Sequence, residues 1–249
     1  MLPAPHPELS ARLGRSCWHY DSTGSTNDDA WALARAGAPH GSVVLADAQR
    51  TGRGRLGRPW FSPPGHNLYF SMILRPSTSP AETALITLAA GVAMAEVLEL
   101  GLKWPNDVVD RRLRKVAGLL SEMDLTDGEV AFVILGVGLN VNQPDFPADL
   151  PQAASLRMLR GAELDRYALL EQLLPALDHR IQQIHAERRD IVQAWTSLSV
   201  TTGQPVRVGE LEGTALGLRE DGALLVRDAA GTVHPVVAGD VLPLAPNTP

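Results

Sequence analysis

The chain has 249 residues, 45% of them hydrophobic and 20% charged, with a formal net charge of −6. That composition suits a folded protein of one large domain, or of one medium and one small domain, and argues against disorder. It also argues against a general nucleic-acid binder, which carries a basic surplus. A single cysteine, Cys17, rules out an intrachain disulfide framework and any metal site of paired thiolates, and points to a reducing, cytoplasmic compartment.

Residues 1–16 read as a short N-terminal arm. They lack the apolar core and cleavage site of a signal peptide, and leave no room for a helix-turn-helix before the first strand. Residues 17–21 read as a strand. Ser25 is then a hydroxyl cap, with Asp28 and Asp29 at the positive end of a helix that runs through Ala30, Leu33 and Ala34 to Gly37. A buried strand follows at 42–46. Residues 49–65, rich in Gly, Arg and Pro, form a long loop of the kind that carries function. A strand is predicted at 67–74 and a helix at 80–100, capped by Ser79, with Leu85, Leu88, Val92 and Ala95 facing a core. Its apolar run, broken by Thr87 and Glu96, falls short of a membrane span. Strands at 116–123 and 130–137 meet at Thr126-Asp127-Gly128-Glu129, which has hairpin chemistry. Residues 164–195 are mainly helical. Beyond a boundary near residue 202, short β segments punctuated by Glu220-Asp221-Gly222 and Ala230-Gly231 suggest a small barrel. The fold class is therefore α+β: a mixed, largely antiparallel sheet flanked by helices over 17–202, and a small β-barrel over 203–249.

Gly52-Arg53-Gly54-Arg55-Leu56-Gly57-Arg58 matches the string GxGxxG. The proline-rich stretch after it, Arg58-Pro59-Trp60-Phe61-Ser62-Pro63-Pro64, cannot be the helix that a dinucleotide fingerprint requires. A GxxxxGK[ST] loop is absent from the sequence as well. The segment reads instead as a cationic loop: glycines let backbone close over a ligand, and arginines offer forked donors to carboxylate and phosphate. On spacing alone, a solvated turn or an RG segment for nucleic acid stays open.

Of 22 basic residues only Lys103 and Lys115 are lysine. A compact ammonium serves where a planar guanidinium would crowd a reacting oxygen, although arginine-biased composition alone also leaves a few lysines. Lys103-Trp104-Pro105-Asn106-Asp107 sets a cation, an amide and a carboxylate around a proline-fixed bend. Asp107 is a candidate Mg²⁺ ligand with water or a phosphate oxygen; a surface Lys–Asp pair is the plainer reading. Lys115 opens a strand and can direct its ammonium into a pocket. Gly136-Val137-Gly138-Leu139-Asn140 ends a buried strand whose bare backbone admits a ligand. Asn140 offers both donor and acceptor there, with a bulge and turn asparagine as the alternative.

Taken in order, Ser25-Thr26-Asn27, the 49–60 loop, Asn67-Leu68-Tyr69, Lys103 to Asp107, Arg114 to Gly118 and Gly136 to Asn140 resemble the biotin–protein ligase family. Asp221 to Leu225 resembles that family's small SH3-like barrel. The resemblance is to the ligase-only type, without the DNA-binding domain of its repressor members. It implies an ATP-dependent enzyme that forms biotinyl-5′-AMP and pyrophosphate. The biotin would then pass to a lysine on the biotin carboxyl carrier domain of acetyl-CoA or pyruvate carboxylase. It further implies that Ser25, Thr26 and Gln49 bind the ureido ring of biotin. Arg53 and Arg55 would meet the carboxylate side and the mixed anhydride, and Gly118, Gly136 and Gly138 would line the wall. Lys115 would be the essential lysine near the biotin carboxylate and the α-phosphate, with Arg55 as the second catalytic group. On the ATP side would stand Arg58 at phosphate, Trp60 beneath the adenylate, Lys103, Asn106, and Asn140 at adenine, with Mg²⁺ on Asp107. One residue more than a common family spacing separates Asp107 from Lys115. Ser22-Thr23 offers a second ST pair; Ser25-Thr26 is preferred because asparagine and the helix follow it. A lipoate or octanoate ligase or transferase of the same fold is the alternative. No nucleic acid or membrane partner is expected, and a homodimer stays open.

Overall fold

Strand-forming segments sort into two sheets in this computed structural model, which describes residues 3–184 and 186–244. The larger sheet holds β1 (Cys17–Tyr20), β2 (Val43–Ala46), β3 (Leu68–Leu74), β4 (Gly101–Lys103), β5 (Asp107–Val109), β6 (Lys115–Thr126) and β7 (Glu129–Leu139). Their spatial order is β1-β2-β3-β7-β6-β5-β4. β1 and β2 run parallel because a helix joins them; the other neighbours are antiparallel. This is the expected mixed, largely antiparallel sheet. The β6–β7 turn places Asp127 and Gly128 at φ 53° and 85°, the pair of left-handed residues that a tight hairpin needs.

Helices cover the sheet: α1 (Pro7–Leu13), α2 (Thr26–Arg35), α3 (Thr83–Leu98), α4 (Leu156–Arg160), α5 (Arg166–Gln182) and α6 (Arg188–Leu198). A short 3-10 turn at Pro80–Glu82, closed by the Ser79–Glu82 capping box, leads into α3. α3 is buried on every side rather than along one stripe, since it lies between the sheet and α5 and α6. Its Ala89, Ala90, Ala93 and Ala95 let those neighbours come close. The segment Pro80–Leu98 is in fact long and apolar enough to cross a membrane, contrary to the expectation that it falls short. Those apolar side chains are spent on the core, together with Phe70, Leu135 and Trp195.

The structure adds detail to three local expectations. The N-terminal arm contains α1, which Arg12–Glu171 and Arg15–Asp178 ion pairs tie to α5. The bend at 103–107 is a β4–β5 hairpin with a cis Trp104–Pro105 peptide. The stretch 164–195 divides into α5 and α6, and α4, capped by Ser155, was not foreseen.

The C-terminal unit is a five-stranded antiparallel sheet: β8 (Pro205–Val208), β9 (Leu211–Leu218), β10 (Leu224–Arg227), β11 (Val233–Val236) and β12 (Val241–Pro243), ordered β11-β10-β9-β8-β12. It shares a core with the larger unit, since Val206, Leu218 and Leu224 join the cluster that holds Leu85 and Leu98. Trp104 Nε1 donates to Gly222 O at 3.1 Å across the seam.

Candidate active site

Directly paired residues of antiparallel strands share a face. Gly118 pairs with Gly138, and Leu120 with Gly136, while Tyr69 and Ser71 of β3 stand opposite those two glycines. Three glycines therefore strip one patch of the sheet to backbone. A Cβ on Gly136 would lie 2.2 Å from Asn27 Oδ1, and one on Gly138 would lie 2.4 Å from Trp60 Nε1. The bare patch lets the first turn of α2 and the Trp60 indole come down onto the sheet.

Between them lies a narrow cavity of about 40 Å³, lined by Ser25, Thr26, Asn27, Gln49, Arg53, Trp60, Asn106, Lys115, Gly118, Gly136 and Gly138 among others. Gln49 locks its inner end: Oε1 accepts from Thr26 N at 2.9 Å and Thr26 Oγ1 at 3.2 Å, and Nε2 donates to Ser62 Oγ at 3.1 Å. Asn27 Nδ2 donates to Glu122 Oε2 at 2.5 Å, and Ser71 Oγ donates to Asn27 Oδ1 at 2.6 Å. Arg53 closes the rim, 2.7 Å from Asp28 and 3.1 Å from Glu122. The Asp28 hydrogen bond, with help from Glu122, raises the Arg53 pKa beyond its ordinary value.

A second and wider cavity, about 400 Å³, opens beyond Trp60. Arg55, Arg58, Asp107, Lys115, Asn140, Asp149 and Asp240 contribute to its lining. Gly54, Trp60, Asn106 and Lys115 belong to both cavities and form the wall between them. Lys115 Nζ is 2.6 Å from Asp107 Oδ1 and 5.2 Å from the centre of the Trp60 ring.

The backbone of Lys115 is fixed on both sides. Its N–H donates to Gln152 O at 2.6 Å, and its carbonyl accepts from Ala154 N at 2.9 Å. The turn before it is wound around Asp110, which accepts from the backbones of Arg112 and Arg114 and from Arg114 Nε. Burial pushes the Asp110 carboxyl up, but these hydrogen bonds outweigh it and leave the group below its ordinary value.

The structure gathers most of the anticipated residues but moves some of them. Arg55 lines the second cavity and a third one beside Leu88 and Trp104, not the first cavity where biotin-side contacts were expected. Its Nη1 donates to Gly239 O at 3.1 Å. Arg58 pairs with Asp240 at 2.5 Å. Lys103 lines none of the three described cavities, because it sits on β4 at the sheet edge. Asn140 lines the second cavity, but its amide nitrogen is committed to Ala154 O at 3.1 Å and lies 3.5 Å from Lys115 O. Its donor therefore holds the Lys115 segment. Asn27, Glu122 and Asp240 are additional polar parts of the site; Asn27 was legible only as the third residue of Ser25-Thr26-Asn27.

Comparison with known proteins places the chain among similar sequences and structures. Residues 20–140 match the model of the biotin/lipoate A/B protein ligase family, and residues 201–242 match that of the biotin protein ligase C-terminal domain. The chain is 37% identical over 238 residues to the biotin–[acetyl-CoA-carboxylase] ligase of Mycobacterium tuberculosis, covering 89% of this chain and 86% of that one. It is 33% identical over 243 residues to the bifunctional ligase/repressor BirA of Bacillus subtilis, covering 92% and 74% respectively. A biotin protein ligase of Aquifex aeolicus, solved in complex with biotin and ATP, superposes with a TM-score of 0.77 at 29% identity, covering 92% of this chain and 98% of that chain.

Proposed function

The chain belongs to the biotin/lipoate A/B protein ligase family, and we propose from that membership and the shared wall of the two cavities that it condenses biotin with ATP and hands the biotinyl group to a protein lysine. The observation that carries this reading is the place of Lys115, a cation that faces both cavities at once.

In the first step, a biotin carboxylate oxygen bonds to the α-phosphorus of ATP and pyrophosphate leaves. Two anions must meet, so their repulsion is the main barrier to approach, and fixed cations lower it. The narrow cavity suits biotin: Ser25, Thr26 and Gln49 would bind the ureido ring, and Gly118, Gly136 and Gly138 would pass its chain along the sheet. Its carboxylate would then end at Lys115. The wider cavity suits ATP, with Arg55, Arg58 and Asn106 at the phosphates. Asp107 fits a Mg²⁺ delivered with the nucleotide: its Oδ1 is buried, ion-paired with Lys115 and without a hydrogen bond in good geometry. One carboxylate is a sufficient protein ligand for a Mg²⁺ that keeps its waters and phosphate oxygens, and the ion would offset phosphate charge.

In the second step, a lysine amine of the acceptor bonds to the acyl carbon of biotinyl-5′-AMP, AMP leaves with the bonding pair, and the amine sheds a proton. Trp60 and the loop around it would shield the mixed anhydride from water until then. The acceptor we propose is the biotin carboxyl carrier domain of acetyl-CoA carboxylase, in a cytoplasmic setting that suits the one buried thiol. Biotin-dependent exchange of labelled pyrophosphate into ATP tests the reading directly. Exchange with biotin and none with lipoate is expected; exchange with lipoate alone would assign the chain to the other branch of the family.

A further inference from the structure

Resting on the ATP-dependent reading above, we infer that Asp240 competes with nucleotide phosphate for Arg55 and Arg58, and is a positioning residue that sets how firmly the loop grips ATP. Arg58 Nη2 lies 2.5 Å from Asp240 Oδ2, and Arg55 Nη1 lies 3.6 Å from Asp240 Oδ1. Arg55 also donates to the neighbouring Gly239 carbonyl at 3.1 Å. Asp240 belongs to the C-terminal unit, so these contacts fasten the loop of one unit to the other. Gly239 fixes their direction: at φ 139° its backbone is wedged against β8, where a Cβ would come within 2.7 Å of Val208.

The charges explain the competition. In the wider cavity, Arg55, Arg58 and Lys115 face Asp107, Asp149 and Asp240. A polyphosphate entering a cavity whose cations are already matched has to displace a carboxylate or bring a metal. Asp107 is held in the β4–β5 hairpin beside Lys115. Asp240 is the exchangeable member: its partner Arg58 is 64% exposed, and exposed pairs are weak, whereas a guanidinium binds phosphate with two parallel charge-assisted bonds. The Asp240 carboxylate thus occupies the two guanidinium groups until a phosphate displaces it.

The test compares wild type, Asp240→Asn and Asp240→Glu in biotin-dependent pyrophosphate exchange and in trypsin cleavage of the Arg55–Leu56 bond without nucleotide. Leu56 is 78% exposed and open to the protease. For Asp240→Asn, the KM for ATP falls about two- to fivefold while kcat stays within twofold, and cleavage becomes several-fold faster. Asp240→Glu keeps wild-type values. A raised or unchanged KM, an unchanged cleavage rate, or an Asp240→Glu protein that behaves like Asp240→Asn overturns the inference. Wild type without exchange overturns the ligase reading instead, and the cleavage arm still reports on Asp240.

Discussion

Gly136→Ala is the sharpest probe of the glycine patch. Its added Cβ would sit 2.2 Å from Asn27 Oδ1, where even tight contacts of real Cβ atoms begin at 3.0–3.4 Å, so the shortfall is about 1 Å. Asn27 has no free direction in which to yield, since Glu122 holds its amide nitrogen and Ser71 its oxygen. The first turn of α2 must therefore move, and Ser25 and Thr26 move with it. Overpacking of this kind costs ~1–3 kcal/mol of stability. A displacement near 1 Å in a binding constellation reaches roughly a hundredfold in function. In pyrophosphate exchange, the KM for biotin should rise roughly ten- to a hundredfold with the KM for ATP little changed. Asn27→Ala removes the colliding oxygen, so the double variant should be no worse than Asn27→Ala alone. A Gly136→Ala enzyme whose biotin KM stays within twofold of wild type would refute the steric argument, as would strict additivity of the two substitutions.

Two stability predictions accompany it. Trp104→Phe keeps the buried ring but removes the donor to Gly222 O, leaving that carbonyl without this partner at the seam between the units. The expected cost is ~1–3 kcal/mol, seen as a melting temperature several degrees lower; an unchanged melting curve counts against the bond's importance. At the start of α3, the Ser79 backbone N–H, the Ser79 and Thr78 hydroxyls and Arg188 hold the Glu82 carboxyl at about 2, against an ordinary value of 4.5. A depressed carboxyl contributes stability that is complete above pH 4.5 and is lost as pH falls toward 2. Glu82→Ala should therefore lower the urea midpoint by the equivalent of ~1 kcal/mol at pH 7. The gap from wild type should narrow below pH 4.5, and a gap that ignores pH would show that the charge is irrelevant.

Local signals in the sequence carried much of the fold. Asp28 and Asp29 behind Ser25 marked the start of α2, Ser79 marked that of the helical segment leading into α3, and Asp127-Gly128 marked a hairpin. Each of these depends on residues within a few positions of one another. The β4–β5 hairpin was missed because its three-residue strands, Gly101–Lys103 and Asp107–Val109, are too short to show alternation. The site was legible where a motif supplies several of its own parts, as in Gly136-Val137-Gly138. It was illegible where chemistry comes from distant segments: Glu122 meets Arg53 from 69 positions away, and Gly239 meets Arg55 from 184. The bond from Asn140 to Ala154 O was illegible for the same reason, since Ala154 lies on a segment with no pattern of its own.

The two lysines illustrate how the structure separates chemistry from composition. Both stood out equally in a chain with 20 arginines. Lys103 lies on the edge strand, paired with Asp107, and lines none of the three described cavities. Lys115 is different. A Cβ on Gly118 would come within 2.9 Å of Lys115 Cε and 3.1 Å of the Trp60 ring, whose centre stands 5.2 Å from the ammonium. A planar guanidinium in that slot would have to spread against Trp60 or push into a cavity of only about 40 Å³. A slim stem with a compact charge fits beside the bare backbone and the indole, and still reaches Asp107 at 2.6 Å. The steric width of the wall, more than the charge it carries, is what requires lysine at position 115.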